Sequence, residues 1–213
     1  YSLFHIAFRG GVKEALKDEE LRIYLGVLFL AWLGMVFSLS SKGDHGLLES
    51  ARYAMFQTAS IGTSTGYASA DYAVWPSLSL LILLFLMIVG ASAGSTSGGL
   101  KILRLKIAYE IVRQEIGRIV QPRSVRSIRM NGEVVPLSKV QVVLGMLSAW
   151  AVSAVVGTTL IAIFEPNLDL ESVLSLSLSC LGNTGPALGT YGPTATWASM
   201  NAPTMLITTL MMW

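Results

Sequence analysis

Charge is scarce in this sequence: Asp, Glu, Lys and Arg make up 13% of its 213 residues. Soluble domains carry about 25%, so a molecule solvated on all sides is excluded. Hydrophobic residues reach 53% and the mean hydropathy is +0.60, a bilayer composition. A single cysteine, Cys180, rules out an internal disulfide, and its neighbours Leu176, Leu178 and Leu181 point to buried packing. The two histidines, His5 and His45, stand alone beside charged residues, and no Cys/His spacing suits a metal. No Gly-x-x-x-x-Gly-Lys-Ser/Thr run is present, so the chain has no phosphate-cradling loop of that kind. Its apolar runs lack the clustered acid, base or metal-binding side chains that a membrane enzyme needs at depth. The opening stretch is charged and lacks the short apolar region and cleavage site of a secretory leader. The chain runs from Tyr1 to Trp213, which falls inside an apolar run, and reads as part of a longer polytopic polypeptide.

What charge there is has been sorted. With Ile23–Ser41, Tyr72–Leu100 and Val140–Phe164 taken as apolar blocks, one side collects most of the basic residues. It holds Arg9, Lys13, Lys17, Arg22, Lys101, Arg104, Lys106, Arg113, Arg118, Arg123, Arg126, Arg129 and Lys139. The other side keeps only Lys42 and Arg52, with Asp44, Glu49, Asp71, Glu165, Asp169 and Glu171. The positive-inside rule assigns the basic side to the cytoplasm, in a multi-pass cell-membrane protein. The same rule explains the basic stretch better than nucleic acid does, because it is flanked by spans. The external side is then net negative and concentrates cations.

Along the chain, residues 1–20 are amphipathic, with Leu3, Phe4, Ile6 and Phe8 as interfacial anchors. Ile23–Ser41 is long enough to span, since a span needs about 20 apolar residues. After the turn at 42–46, Leu47–Ile61 is helical but too short to cross, and reads as a re-entrant helix opened by Glu49 and Ser50. Trp75 is expected at the interface, and Pro76 opens a descending helix. The apolar run Ser77–Val89 rises only about 20 Å of the ~30 Å hydrocarbon core. The segment Gly90-Ala91-Ser92-Ala93-Gly94-Ser95-Thr96-Ser97-Gly98-Gly99 must therefore lie within the span. Leu100–Val120 is basic and helical, and 121–136 is a polar connector with a turn at Asn131-Gly132.

The pattern then recurs. Val140–Phe164 spans, Leu170–Leu181 is short and opened by Asp169, Glu171 and Ser172, and Ala198–Trp213 begins another span. Setting Gly66 against Gly185 aligns Thr65 with Thr184, Ser64 with Asn183 and Ser60 with Ser179. The fold class is therefore all-α and polytopic, built from repeated helix–pore helix–filter loop–helix units. The boundaries are 1–120 for one unit, 121–139 for a connector and 140–213 for the second.

Each short helix is followed by a polar loop: Thr63-Ser64-Thr65-Gly66-Tyr67 and Gly182-Asn183-Thr184-Gly185-Pro186. Lipid forbids unpaired backbone, so such loops survive at depth only inside protein or beside a water-filled pore. A dehydrated cation needs several oxygens facing one axis, and backbone carbonyls supply them. Glycine permits the positive φ that turns successive carbonyls the same way. The candidate ion-binding residues are those ten.

Two longer patterns carry a family likeness: Ser64-Thr65-Gly66-Tyr67 with Asp71, Tyr72, Trp75 and Pro76, then 93–99 with Lys101 and Arg104. Together with Asn183-Thr184-Gly185-Pro186-Ala187-Leu188-Gly189, they resemble the TrkH-type membrane subunits of the Trk/Ktr/HKT potassium transporters. The likeness covers essentially the whole chain, as the third and fourth of four pore repeats. It implies K⁺ uptake with no cofactor in this chain, a homodimer in membrane lipid, and a cytosolic TrkA-like nucleotide-binding partner docking on Lys101–Arg129. It also implies an intramembrane gate at Gly90, Ser92, Gly94, Ser95, Thr96, Ser97, Gly98 and Gly99. Ala68 and Ala187 replace the second filter glycine and Pro186 an aromatic, which implies fewer well-formed K⁺ sites. The alternative is a secondary transporter of a small solute with discontinuous helices, which calls for inverted repeats and an intramembrane charge. Both units here run in the same direction through uncharged spans.

Overall fold

The computed structural model describes residues 18–43, 46–92, 95, 98–120, 129–130 and 133–213. Outside them fall the anchors of residues 1–17, His5, His45, the turn Asn131-Gly132, and gate candidates Gly94, Thr96 and Ser97. Among the described residues there are seven α-helices: α1 Glu19–Lys42, α2 Leu47–Gly62, α3 Ser77–Ile88, α4 Ile102–Val120, α5 Leu137–Phe164, α6 Leu170–Gly182 and α7 Ala202–Met211.

The helix ends follow local chemistry. Asp18 caps α1 by accepting from the backbone N–H of Glu20 (2.8 Å) and Leu21 (3.1 Å). Glu19 and Glu20 occupy its first turn and Lys42 its last, both favourable to the helix dipole. Gly43 ends it with φ 80°, a conformation that suits glycine. Pro76 and Pro136 precede α3 and α5, where a missing N–H costs nothing.

Two helices, α1 and α5, are long and apolar enough to cross a bilayer. Only 22% and 11% of their most apolar windows are buried within the chain. A core helix of a soluble protein would be mostly enclosed. Here Phe29, Leu30 and Phe37 on α1 and Val152, Val155 and Val156 on α5 face outward instead.

Helices α1, α2 and α3 pack together, α5, α6 and α7 form a second group, and α3 against α6 joins the two. The main core, with Met35, Ile61, Tyr72, Leu83, Leu86 and Met87, draws Leu178 and Leu188 from the second group. Trp75 is 7% exposed, lies edge-on to Tyr72 with ring centroids 6.1 Å apart, and belongs to that core. It directly follows the 3₁₀ turn Tyr72–Val74.

Two short pairings were unforeseen. Strands β1 (Val89–Gly90) and β2 (Leu100–Lys101) pair in parallel, Val89 with Leu100 and Gly90 with Lys101. Strands β3 (Arg129–Met130) and β4 (Glu133–Val134) form an antiparallel ribbon in the connector. An ion pair from Lys106 to Glu19 ties α4 to the start of α1.

Because Trp75 fills a core shared by both groups, Trp75→Ala should cost about 3–5 kcal/mol of stability. Thermal unfolding of the purified protein in detergent would read this as a clear fall in midpoint. An unchanged midpoint would contradict the burial.

Candidate functional site

Both polar loops start where a short helix stops, and they start the same way. After α2, the N–H of Ser64 bonds Ile61 O (3.0 Å) and that of Thr65 bonds Ser60 O (2.8 Å). After α6, the N–H of Asn183 bonds Cys180 O (3.2 Å) and that of Thr184 bonds Ser179 O (3.0 Å). One hydroxyl then closes each loop: Ser60 donates to Tyr67 O (2.5 Å) and Ser179 to Pro186 O (2.8 Å). Every one of these groups matches its counterpart in the alignment of Gly66 with Gly185.

The dihedrals match as well. Positive φ occurs at Ser64 (55°) and Gly66 (77°), and again at Asn183 (47°) and Gly185 (103°). Ser64 and Asn183 are the non-glycine residues with positive φ among those described. Left-handed backbone at alternate positions breaks the up–down alternation of carbonyls that an ordinary strand would have.

The loops meet. A β-carbon on Gly66 would overlap the carbonyl oxygen of Thr184 and lie 3.1 Å from Pro186 Cδ. With φ +77° and a backbone neighbour that cannot swing aside, this position admits only glycine. Thr63 turns its hydroxyl back to Ala59 O (2.7 Å) and toward Thr65 Oγ1 (2.7 Å). Thr184 differs: its hydroxyl is buried and has no partner among the described residues. Tyr67 is 73% exposed, and Asn183 Nδ2 donates to Met212 O (3.3 Å).

Neutral oxygen is the donor set here. Carbonyls and hydroxyls line both loops, and no group of three or more His, Cys, Asp or Glu among the described residues could hold a metal. Such oxygens suit a monovalent alkali cation, whereas Ca²⁺ or Zn²⁺ sites use carboxylates, imidazoles or thiolates. Helices α2 and α6 both direct their C-terminal, partially negative ends into these loops. The Tyr24 hydroxyl takes up one of those carbonyls, Gly62 O, at 3.0 Å. Nearby, Tyr72 donates to Ala187 O (3.4 Å) across the two groups.

Beneath the second loop sits the Gly/Ser segment. Pairing of β1 with β2 brings its ends together, and Ser95 N–H bonds Ser92 O (3.0 Å) in a turn. A β-carbon on Gly98 would overlap Gly182 O and stand 3.1 Å from Asn183 N. One on Gly90 would overlap Gly98 O, and Gly99 has φ +71° and lies close under Ile88 O. Gly98 thus rests against the start of the second loop, Gly90 and Gly99 lie against their own segment and the end of α3, and Ser92 and Ser95 bond each other. The Lys101 ammonium donates to Ser95 O (2.5 Å) and clasps the segment from within its own motif.

Sequence reading aligned Ser60 with Ser179 without assigning them a task, and missed Tyr24 and the Lys101 clasp. The repeated serine at one offset from each loop glycine was the available signal for the first pair. Hydrogen bonds between residues distant in sequence, such as Tyr24 to Gly62, leave no such trace.

Comparison with known proteins agrees with this geometry. The profile of the TrkH family, described as cation transport proteins, matches residues 35–213. The Trk system potassium uptake protein TrkH of Vibrio parahaemolyticus serotype O3:K6 (strain RIMD 2210633) is 33% identical over 193 residues, 89% of this chain and 39% of that protein. The TrkH of Escherichia coli (strain K12) is 31% identical over 193 residues, 87% of this chain and 38% of that protein. The chain therefore spans about two fifths of the length of these curated relatives. The crystal structure of the potassium transporter TrkH from Vibrio parahaemolyticus superposes with a TM-score of 0.88 at 28% identity, over 99% of this chain and 45% of that one. Two matched pore-helix units, meeting at their glycine loops, belong to a chain of the TrkH family of cation transport proteins.

Proposed function

We propose that this chain forms part of a K⁺ uptake pathway across the cell membrane, and that its two polar loops are segments of the ion filter. Thr63, Ser64, Thr65, Gly66 and Tyr67 form one wall, and Gly182, Asn183, Thr184, Gly185 and Pro186 the other. Main-chain oxygens of Ser64, Thr65, Asn183 and Thr184 take the place of water around the ion. The observation that carries this reading is the contact of Gly66 with Thr184 O between loops of matched positive φ. Backbones that touch without side chains between them leave carbonyl oxygen as the surface a small cation meets. The unpartnered Thr184 hydroxyl adds one more oxygen to that surface.

The Gly/Ser segment is the gate in this proposal. Its backbone lies against Gly182 O, directly at the base of the second wall. A loop of small residues with both ends fixed can leave that position without unfolding its flanking helices. Residues 1–120 and 140–213 are then two pore repeats joined by the connector 121–139. The outward apolar faces of α1 and α5 suit lipid and the further repeats of the intact protein. A homodimer, and a TrkA-like cytosolic subunit docking on the basic surface of α4, complete the reading. The relatives' shared name, Trk system potassium uptake protein, supports transport by a multi-component system.

Rubidium flux into liposomes bearing the intact polypeptide that carries this chain tests both parts. Gly66→Asp should abolish flux while the protein inserts and purifies normally, since its side chain would strike Thr184 O. Full retention of flux would remove Gly66 from the pathway. Deleting 92–97 should raise flux by opening the base of the second wall. Flux unchanged by the deletion would mean that the segment only packs.

A further inference from the structure

We propose that Ser172 and Ser175 of α6 are positioning residues that set the ion selectivity of the second loop, by fixing its outgoing strand to the helix. The inference rests on the filter reading above and deepens it. Ser179 donates to Pro186 O at 2.8 Å. One helical turn earlier, the Ser175 hydroxyl accepts from Leu188 N–H at 2.9 Å. A turn earlier again, the Ser172 hydroxyl accepts from Thr190 N–H at 2.9 Å. Three serines spaced by about one turn thus bond Pro186, Leu188 and Thr190 of the outgoing segment. Leu188 is extended, and the 3₁₀ turn Gly189–Tyr191 then brings Thr190 N–H to Ser172.

Each rung starts from an enclosed, oriented hydroxyl. All three serines are enclosed, with no solvent exposure. Ser172 spends its proton on Asp169 Oδ1 (2.6 Å) and Ser175 on Ser172 O (3.2 Å), which leaves each oxygen free to accept from the strand. Gly189 makes room for the outermost rung: a β-carbon there would overlap Ser172 Oγ, and its φ is +60°. Ala187 between the rungs is engaged as well, its N–H with Tyr191 O (3.2 Å) and its carbonyl with Tyr72. The span between the Thr184 N–H bond to Ser179 O and the Ser179 bond to Pro186 O is therefore very short. Its oxygens have little freedom to close around a smaller ion.

The first loop lacks this device. In the alignment that pairs Ser60 with Ser179, Ser172 and Ser175 correspond to Tyr53 and Phe56, and neither has a hydroxyl on its Cβ. Of the three serine positions, the Ser60 rung to Tyr67 O is the one kept, and Tyr67, Ala68 and Ser69 are exposed. One wall is braced along its outgoing strand, and the other is braced only at its root.

The test is the ratio of Rb⁺ to Na⁺ flux in liposomes, with the intact polypeptide that carries this chain. Ser175→Ala leaves the buried Leu188 N–H without its acceptor, and should lower the ratio about fivefold, the worth of one net hydrogen bond. Ser175→Thr keeps a hydroxyl on Cβ and should restore the ratio, which a loss of mere packing would not explain. Ser172→Ala provides the same reading should Ser175→Ala fail to purify. A parental ratio in the serine-to-alanine variants, in a protein that Gly66→Asp silences, would overturn the brace alone. Flux that survives Gly66→Asp would overturn the filter reading beneath it.

Discussion

A peptide chain inside a bilayer must satisfy its backbone polar groups, while a bare cation crossing the same layer needs some of them left open. The rest of this structure can be understood as a settlement between those demands. Around both loops, hydrogen bonds secure the roots: N–H groups of residues 64, 65, 183 and 184 return to their helices, and Ser60 and Ser179 bond a carbonyl at the far side. Short helices deliver the loops with their partially negative ends foremost, which favours a cation without placing a carboxylate there. A carboxylate would hold a monovalent ion by charge instead of by fit, and would welcome divalent ions too.

Missing side chains are as important as bonds. Gly66 lies against Thr184 O, Gly98 against Gly182 O, and a β-carbon on Gly182 would come 2.7 Å from Met87 O. Backbone thus touches backbone from the end of α3, through the base of the second loop, to the Gly/Ser segment. Alanine at such positions would have to move main chain, not a flexible side-chain tip. In the proposed gate, that stacking lets one short segment close the base of the filter wall without inserting any bulk. It also explains why the segment departs from helix: the close approach at Gly90 and the positive φ of Gly99 are not α-helical, and β1–β2 pairing satisfies groups that the helix would have used.

Much of this was legible because membranes simplify the code. Hydropathy and charge asymmetry located α1 and α5, length alone marked α2 and α6 as too short to cross, and the glycine alignment found the repeat. The loops' positions followed from those lengths. What escaped notice depends on which surfaces face each other. Trp75 reads from sequence as an interfacial anchor, and its packing against Tyr72 in the shared core was not legible there. Serines read as small polar filler, and only the fold shows Ser172, Ser175 and Ser179 lined up along a strand. The basic residues were legible as a total, but the particular tasks of Lys101 and Lys106, clasping Ser95 O and Glu19, were not.

The two repeats agree where the loop begins and differ where it leaves. Ser60 and Ser179, the matched N–H bonds and the alternating φ keep the inner geometry common, as the proposed shared ion axis requires. Beyond Tyr67 and Pro186 the chains diverge: Ala187 and Leu188 are enclosed, and Tyr67, Ala68 and Ser69 are exposed. Four identical subunits could not make that distinction, since any change would appear in every wall at once. A single chain with unlike repeats can brace one wall and leave another compliant. In the proposed filter, the braced wall would hold its oxygens at a fixed spacing, while the wall without outer rungs would yield as ions enter and leave. Selectivity and turnover make opposite demands on rigidity, and unlike repeats would allow both to be met in the proposed pore.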